Sequence, residues 1–351
     1  MSIENEFDNR AVSKELMNEL TNGGFKEFVN FVKQSEKPNC EYKLALCFRG
    51  NDNPDSVVIY YNNHMVWKLN IEKNGSLAVT ISYNHARYSK DWKEKLELLC
   101  SKKFGFKGKK EPEDGSIGYL KAIGNIFSKN FVEDSFRILK PLIDDFFNTD
   151  LKFDYFKEEN VKTHRNYIEK IRQQELYIEF DNLDNGLFVY DLEFAQKRVK
   201  EVLLNKNQPD MLGIRFKNGK PEKRVFIEVK STEAAVRNLK SGLKKHLIGM
   251  EEYIKDEVAI SNRIKEAYQI FEQYKQLNLR NVTNVNANVL DTKLPIEIRF
   301  ILTDEAAEYF KRNKKYWENR KDDENYILEK FMKNRGYTVE YVNAECIEIW
   351  K

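Results

Sequence analysis

The fold is decided by residues 208–230: Gln208-Pro209-Asp210, then Met211-Leu212-Gly213-Ile214-Arg215-Phe216, the turn Lys217-Asn218-Gly219-Lys220-Pro221, and Arg224-Val225-Phe226-Ile227-Glu228-Val229-Lys230. Residues 211–216 read as a strand, and the Asn-Gly step is hairpin-turn chemistry. Side chains alternate between the faces of a strand, so Phe226, Glu228 and Lys230 share one face and Val225, Ile227 and Val229 the other. This pattern predicts a half-buried strand whose polar end opens toward a ligand. A hairpin centred near Lys220 sets Asp210 roughly opposite Lys230. Two carboxylates and a lysine on adjoining strands are the set that divalent-metal phosphodiester chemistry needs. Asp and Glu supply hard oxygen ligands of the kind Mg²⁺ accepts one or two at a time. A lysine can orient the attacking water and neutralise charge on phosphoryl oxygens.

The flanking sequence supplies the rest of a catalytic half. Residues 160–176 are helical in pattern. Residues 187–195 form a strand with Asp191 and Glu193 on one face and Tyr190, Leu192 and Phe194 on the other. Two acids in so apolar a strand require water, a metal or a basic partner on their face, which makes Glu193 a further site candidate beside the alternatives of an exposed face or an ion pair. After Lys230, Ser231 or Thr232 can cap a helix to about residue 255, with Leu239, Leu243, Leu247 and Met250 as its apolar stripe. Lys240, Lys244, Lys245 and His246 fall on or beside the opposite face, from which Lys240 and Lys244 can reach phosphates or simply be solvated. Residues 258–277 make a second amphipathic helix and residues 295–303 a strand. Asp304 caps a further helix, and residues 337–349 return as a closing strand or hairpin.

Taken with this context, Pro209-Asp210 … Glu228-Val229-Lys230 resembles the signature of the PD-(D/E)xK nuclease superfamily, the restriction-endonuclease-like fold. The resemblance covers about residues 155–310. It implies an α/β core in the order α-β-β-β-α-β with a mixed sheet, so that the chain is α+β overall, with a nuclease domain at 151–351. It further implies that Asp210 and Glu228 bind Mg²⁺, with Mn²⁺ able to substitute, that the Val229 carbonyl is a third ligand and that Lys230 is catalytic. The family often adds an acid from the helix before the first strand; Glu169 and Glu175 are available, and Glu175, nearer the strand, is preferred. The implied activity is endonucleolytic hydrolysis of DNA ahead of RNA, in bacterial restriction or anti-phage defence, with a homodimer or a partner defence subunit compatible with that setting.

Residues 1–150 have a different texture. One or two short helices, broken at Gly23-Gly24, precede strands at 42–48, 56–61, 64–71 and 76–83, an antiparallel meander in an N-terminal α+β domain. Helices are predicted at 92–102, 117–127 and 132–147. Between Lys90 and Lys110 eight lysines face three acids (Asp91, Glu94, Glu97), with Trp92, Phe104 and Phe106 interleaved and Gly105 and Gly108 lending freedom. Lys102, Lys103, Lys109 and Lys110 can neutralise phosphates while the rings stack on bases; the alternative is a solvated loop with its rings packed beneath. Tyr83, Asn84, His85, Arg87 and Tyr88 form a polar-aromatic cluster that suits a small-ligand pocket, so this domain either selects the target or senses a small nucleotide that gates the nuclease. A nucleic-acid binder that keeps the fold without cleaving is the remaining alternative.

Composition sets the frame. The 351 residues suggest two domains. With a formal net charge of +3, attraction to nucleic acid must come from local patches. Four scattered cysteines with no Cys-x-x-Cys argue against zinc and for a reducing compartment. The four histidines show no ligand spacing. No apolar run approaches a membrane span and no signal peptide is evident, so the expectation is a cytoplasmic protein with no membrane partner.

Overall fold

A computed structural model describes residues 10–62, 64–82, 95, 97–108, 119–150, 172–178, 186–192, 209–233, 246, 249–250, 253–255, 257–280, 282, 294–309 and 338–341. The chain is mixed α/β with two sheets and divides into two compact units. One comprises Asp8–His164 with Gln273–Arg280; the other comprises Met1–Phe7, Arg165–Glu272 and Asn281–Lys351.

The first unit opens with helices α1 (Lys14–Thr21) and α2 (Lys26–Ser35). Ser13 starts α1, its side chain accepting the Leu16 N–H, as an N-cap serine does for the otherwise unpaired first-turn amides. Leu16 and Leu20 of α1, and Phe28, Phe31 and Val32 of α2, are buried at helical spacing. The sheet runs β1 (Leu44–Arg49), β2 (Ser56–Tyr61), β3 (His64–Ile71), β4 (Leu77–Ser82), β6 (Tyr119–Gly124) and the short β5 (Lys107–Gly108), all antiparallel. Helix α3 (Lys129–Asp150) follows. Trp67 of β3, fully buried, has Phe28, Phe31 and Phe136 around it at 5.1, 5.9 and 5.8 Å between centroids. The four expected strands of the meander are present. The helix expected over 117–127 is instead β6, which pairs with β4 from Leu77↔Gly124 to Ser82↔Tyr119. Its burial alternates, with Leu120 and Ala122 inside and Tyr119 and Ile123 outside, and that period of two wins over helix propensity once a sheet edge is available to receive it.

In the second unit a mixed sheet runs in the order β11-β10-β9-β8-β7. Its strands are β7 (Leu187–Leu192), β8 (Met211–Lys217), β9 (Lys220–Lys230), β10 (Ile296–Leu302) and β11 (Thr338–Tyr341). β7, β8 and β9 are antiparallel neighbours; β10 is parallel to both β9 and β11. Residues 172–178 are helical before β7, and residue 233 and the described positions of 246–254 are helical after β9. Helix α4 (Glu257–Leu277) precedes β10, and residues 304–309 form a helix after it. Phe271 of α4 packs on Phe188 of β7 and Phe216 of β8. The end of α4 belongs to the first unit, where the Tyr274 hydroxyl donates to the Leu46 carbonyl and the Gln273 side chain bonds the Val12 backbone. β9 is the central strand of five, and residues 224–230 are buried throughout, so the half-buried strand with an open polar end is corrected to one covered on both faces, as strands with a parallel neighbour usually are.

Candidate active site

The β8–β9 hairpin places the first two acids. Its two-residue turn, Asn218-Gly219, has φ of 52° and 68°, the left-handed pair that a tight hairpin of matching twist requires and that Asn-Gly supplies with least strain. An irregularity between Arg215 and Phe216 then offsets the ladder. Met211 pairs with Ile227, so the next step brings Asp210 beside Glu228, two residues short of the Lys230 position that a turn centred near Lys220 predicts. The side chain makes up part of the difference. Asp210 Oδ2 accepts the Val229 N–H at 2.8 Å and lies 3.9 Å from Lys230 Nζ.

Glu228 and Lys230, two apart on one strand, point to the same side. Lys230 Nζ sits 2.5 Å from Glu228 Oε1. His246 Nδ1 lies 2.7 Å from the same oxygen. The Glu228 side chain is 1% exposed, Lys230 8% and Asp210 21%, so access to the trio is from the Asp210 side. Burial pushes the Glu228 carboxyl up, but the Lys230 charge and the His246 imidazole beside it more than offset that, and the group is held below the usual carboxylate range. Oε1 thus meets two nitrogens, while among the described residues Oε2 has no hydrogen-bond partner.

The helical pattern puts His246 on or beside the lysine face of its helix, and the structure places it at the site. The signal was available in the spacing. His246, Met250 and Tyr253 are four and three residues apart and so share a helix face. Met250 is fully buried and Tyr253 packs on Phe226 of β9 at 5.8 Å between centroids. Phe226 shares its strand face with Glu228, so a residue one turn before Met250 falls over the carboxylate. The absence of a His-x-His pattern hid it, because its partner is on a strand.

The remaining candidates fall into three groups. Glu175 lies in the helix before β7, half-exposed, with its carboxylate 2.6 Å from Arg172. Arg172 also grips both oxygens of Asp304 at 3.0 and 2.9 Å, so the Asp304 side chain is engaged by that arginine and does not serve as the expected helix cap. Leu302, two residues before Asp304, pairs with Lys230, which puts Asp304 at the end of the sheet where Lys230 ends. Asp191 of the β7 strand is buried, displaced by a bulge between Val189 and Asp191. Its charge is the smallest of those that act on Arg263, which is paired with Glu266 at 2.7 Å in the core. Glu193, Glu169, Lys109, Lys110, Lys240, Lys244, Trp92 and the cluster Tyr83–Tyr88 lie outside the described residues.

Lys102 and Lys103 are exposed, and Lys103 pairs with Asp134 at 2.5 Å. The rings between them and β5 are a correction to the stacking reading. Phe104 and Phe106 are 6% and 2% exposed and pack on Phe131 at 5.9 and 5.5 Å, so neither presents a face to a base. Gly105, at φ 65°, turns the chain between the two buried rings, a conformation that glycine adopts without strain.

Among the described residues no group of three or more His, Cys, Asp and Glu side chains converges to hold a metal ion. The Asp210–Glu228 pair nonetheless fits Mg²⁺, which takes one or two carboxylates and completes its shell with water or backbone oxygen. The buried, ionised Glu228 carboxylate, whose Oε2 has no hydrogen-bond partner among the described residues, is the observation that favours this fit. Cys40, Cys47 and Cys100 are free thiols. Among the described residues no helix is long and apolar enough to cross a membrane. No protein-family model matches the chain, and neither a curated protein nor a solved structure matches it.

Proposed function

We infer that the chain is a Mg²⁺-dependent nuclease with a restriction-endonuclease-like catalytic unit, acting on DNA in bacterial restriction or defence against phage. One observation carries the reading. Asp210, Glu228 and Lys230 meet at one end of adjoining strands, with the Glu228 carboxylate fully buried yet held ionised 2.5 Å from the Lys230 ammonium. Burying an ionised carboxylate is costly unless its charge is met, and a site that must attract a cation retains that charge. The element order also supports the fold: a helix, three antiparallel strands, helical crossover residues and a parallel fourth strand.

Asp210 and Glu228 would hold Mg²⁺, with the Val229 carbonyl as the expected third ligand; Mg²⁺ there supplies Lewis-acid stabilisation of phosphoryl oxygen and a more acidic bound water. Lys230 Nζ, within 2.5 Å of one carboxylate and 3.9 Å of the other, is placed to orient a water and to offset the charge that grows on the phosphate. The Val229 N–H fixes Asp210, so both carboxylates are set by β9. Glu175 would act at the same end of the sheet through Arg172 and Asp304.

The test is a digest of double-stranded DNA, single-stranded DNA and RNA with Mg²⁺, with Mn²⁺ and with EDTA, using Asp210→Asn as the control. Metal-dependent cleavage that the variant loses supports the reading. Cleavage only with an added nucleotide would make the first unit a sensor, and binding without cleavage at any metal would leave a nucleic-acid-binding protein.

A further inference from the structure

We propose that His246 is a positioning residue of this site: it and Lys230 together grip Glu228 through Oε1, which turns Oε2 to the metal. The inference rests on the metal-site reading above and adds a residue and an orientation to it. Both donors approach the same oxygen, Lys230 Nζ at 2.5 Å and His246 Nδ1 at 2.7 Å. An imidazole nitrogen that close to a carboxylate oxygen must carry its proton, since two lone pairs at that distance repel. Glu228 is fully buried, and among the described residues Oε2 has no hydrogen-bond partner. A buried acceptor without a partner costs about 1–3 kcal/mol, more when charged, so its retention opposite a doubly held oxygen suits a ligand position. The two grips come from different elements. Lys230 lies on the same strand as Glu228, whereas His246 lies on the helix whose Tyr253 packs on Phe226, so the carboxylate is fixed between strand and helix. Groups that hold a ligand from outside the metal's shell commonly change metal affinity by roughly 10–100-fold when removed.

The experiment measures Mn²⁺ binding to the full-length chain by calorimetry or by the spin-resonance signal of free Mn²⁺, with melting in EDTA as the check on folding. Because the contact is through Nδ1, the amide of Asn matches its reach from the backbone and that of Gln does not. His246→Ala and His246→Gln should weaken Mn²⁺ binding by about tenfold or more, and His246→Asn should stay within about threefold of the parent, with Asp210→Asn as the control for loss of a ligand. If the parent binds Mn²⁺, Asp210→Asn loses it and the Ala variant binds like the parent, the role of His246 is overturned and the metal site stands. If the parent binds no Mn²⁺, both fall. Should the Ala variant fail to fold, the Asn and Gln variants decide: equal affinities overturn the proposal, and a tenfold gap in favour of Asn supports it.

Discussion

Replacing Asp210 by Ala and, in parallel, by Asn separates the fold role of this carboxylate from its chemical role. Oδ2 accepts the Val229 N–H at 2.8 Å, and Val229 is fully buried. Alanine leaves that N–H without a partner, at a cost of about 1–3 kcal/mol. Asparagine keeps a carbonyl oxygen of the same reach and retains most of the bond. Both variants lose the attraction to Lys230, 3.9 Å away, so that contribution cancels in the comparison. At roughly 2–4 °C per kcal/mol for a unit of about 150–250 residues, Asp210→Ala should melt roughly 2–12 °C below Asp210→Asn in EDTA. Cleavage behaves differently. Both variants lack the charge a hard cation needs, and both should lose more than about 10²-fold in rate. Thermal melting and a fluorogenic digest run on the same preparations read the two quantities. Coincident melting of the two variants would refute the structural role of the Val229 bond; cleavage by Asp210→Asn at the parent rate would refute the ligand assignment.

Lys230→Ala should lower the rate on the order of 10²-fold or more while changing Mg²⁺ affinity far less, and the metal-free variant should lose about 3–5 kcal/mol of stability because buried Glu228 forfeits its nearest cation; an equal loss of affinity and rate would mark a structural ion pair. Charge reversal of Lys102, Lys103, Lys109 and Lys110 should weaken nucleic-acid binding and flatten its salt dependence by about one unit of slope per lost phosphate contact, whereas Phe106→Ala should cost about 3–5 kcal/mol and leave the salt slope unchanged; an unaltered slope after charge reversal would reduce the stretch to a solvated loop. Glu297, pushed up by burial but pulled below the usual range more strongly by Arg299, Arg215 and Lys223, contributes stability that is fully present above the unfolded value of about 4.3 and lost as pH falls through the lower folded value. Glu297→Gln should therefore cost about 1.5–3 kcal/mol near neutrality and show a shallower acid melting profile below about pH 4; identical profiles would show that the cluster is worth nothing.

The sequence by itself determined whatever depends on neighbours along the chain. Alternation named β9, strand-forming runs between turn residues named β2, β3 and β8, an apolar run named β10, the apolar repeat named α4, and Asn218-Gly219 named the turn that joins the two strands of the site, because strand faces, helix faces and hairpin turns follow from local dihedral preference and side-chain period. Glu228 and Lys230 could be placed on one face for the same reason. Only the tertiary structure decided what depends on partners far along the chain. The turn sits at Asn218-Gly219 and not at Lys220, and the ladder offset near Arg215 then set Asp210 beside Glu228 where the turn's own register would have set it beside Ile227, because a register fixed at the turn is altered by one unpaired residue. The neighbouring β4 edge made a strand of 119–124, where isolated propensity suggested a helix. The helical residues His246 and Tyr253, lying over Glu228 and Phe226, cover the polar end of β9, which its own letters had left open. His246 joined the carboxylate because its helix lies over Phe226 and Glu228, and no spacing within a sequence encodes the distance between a helix and the strand it covers.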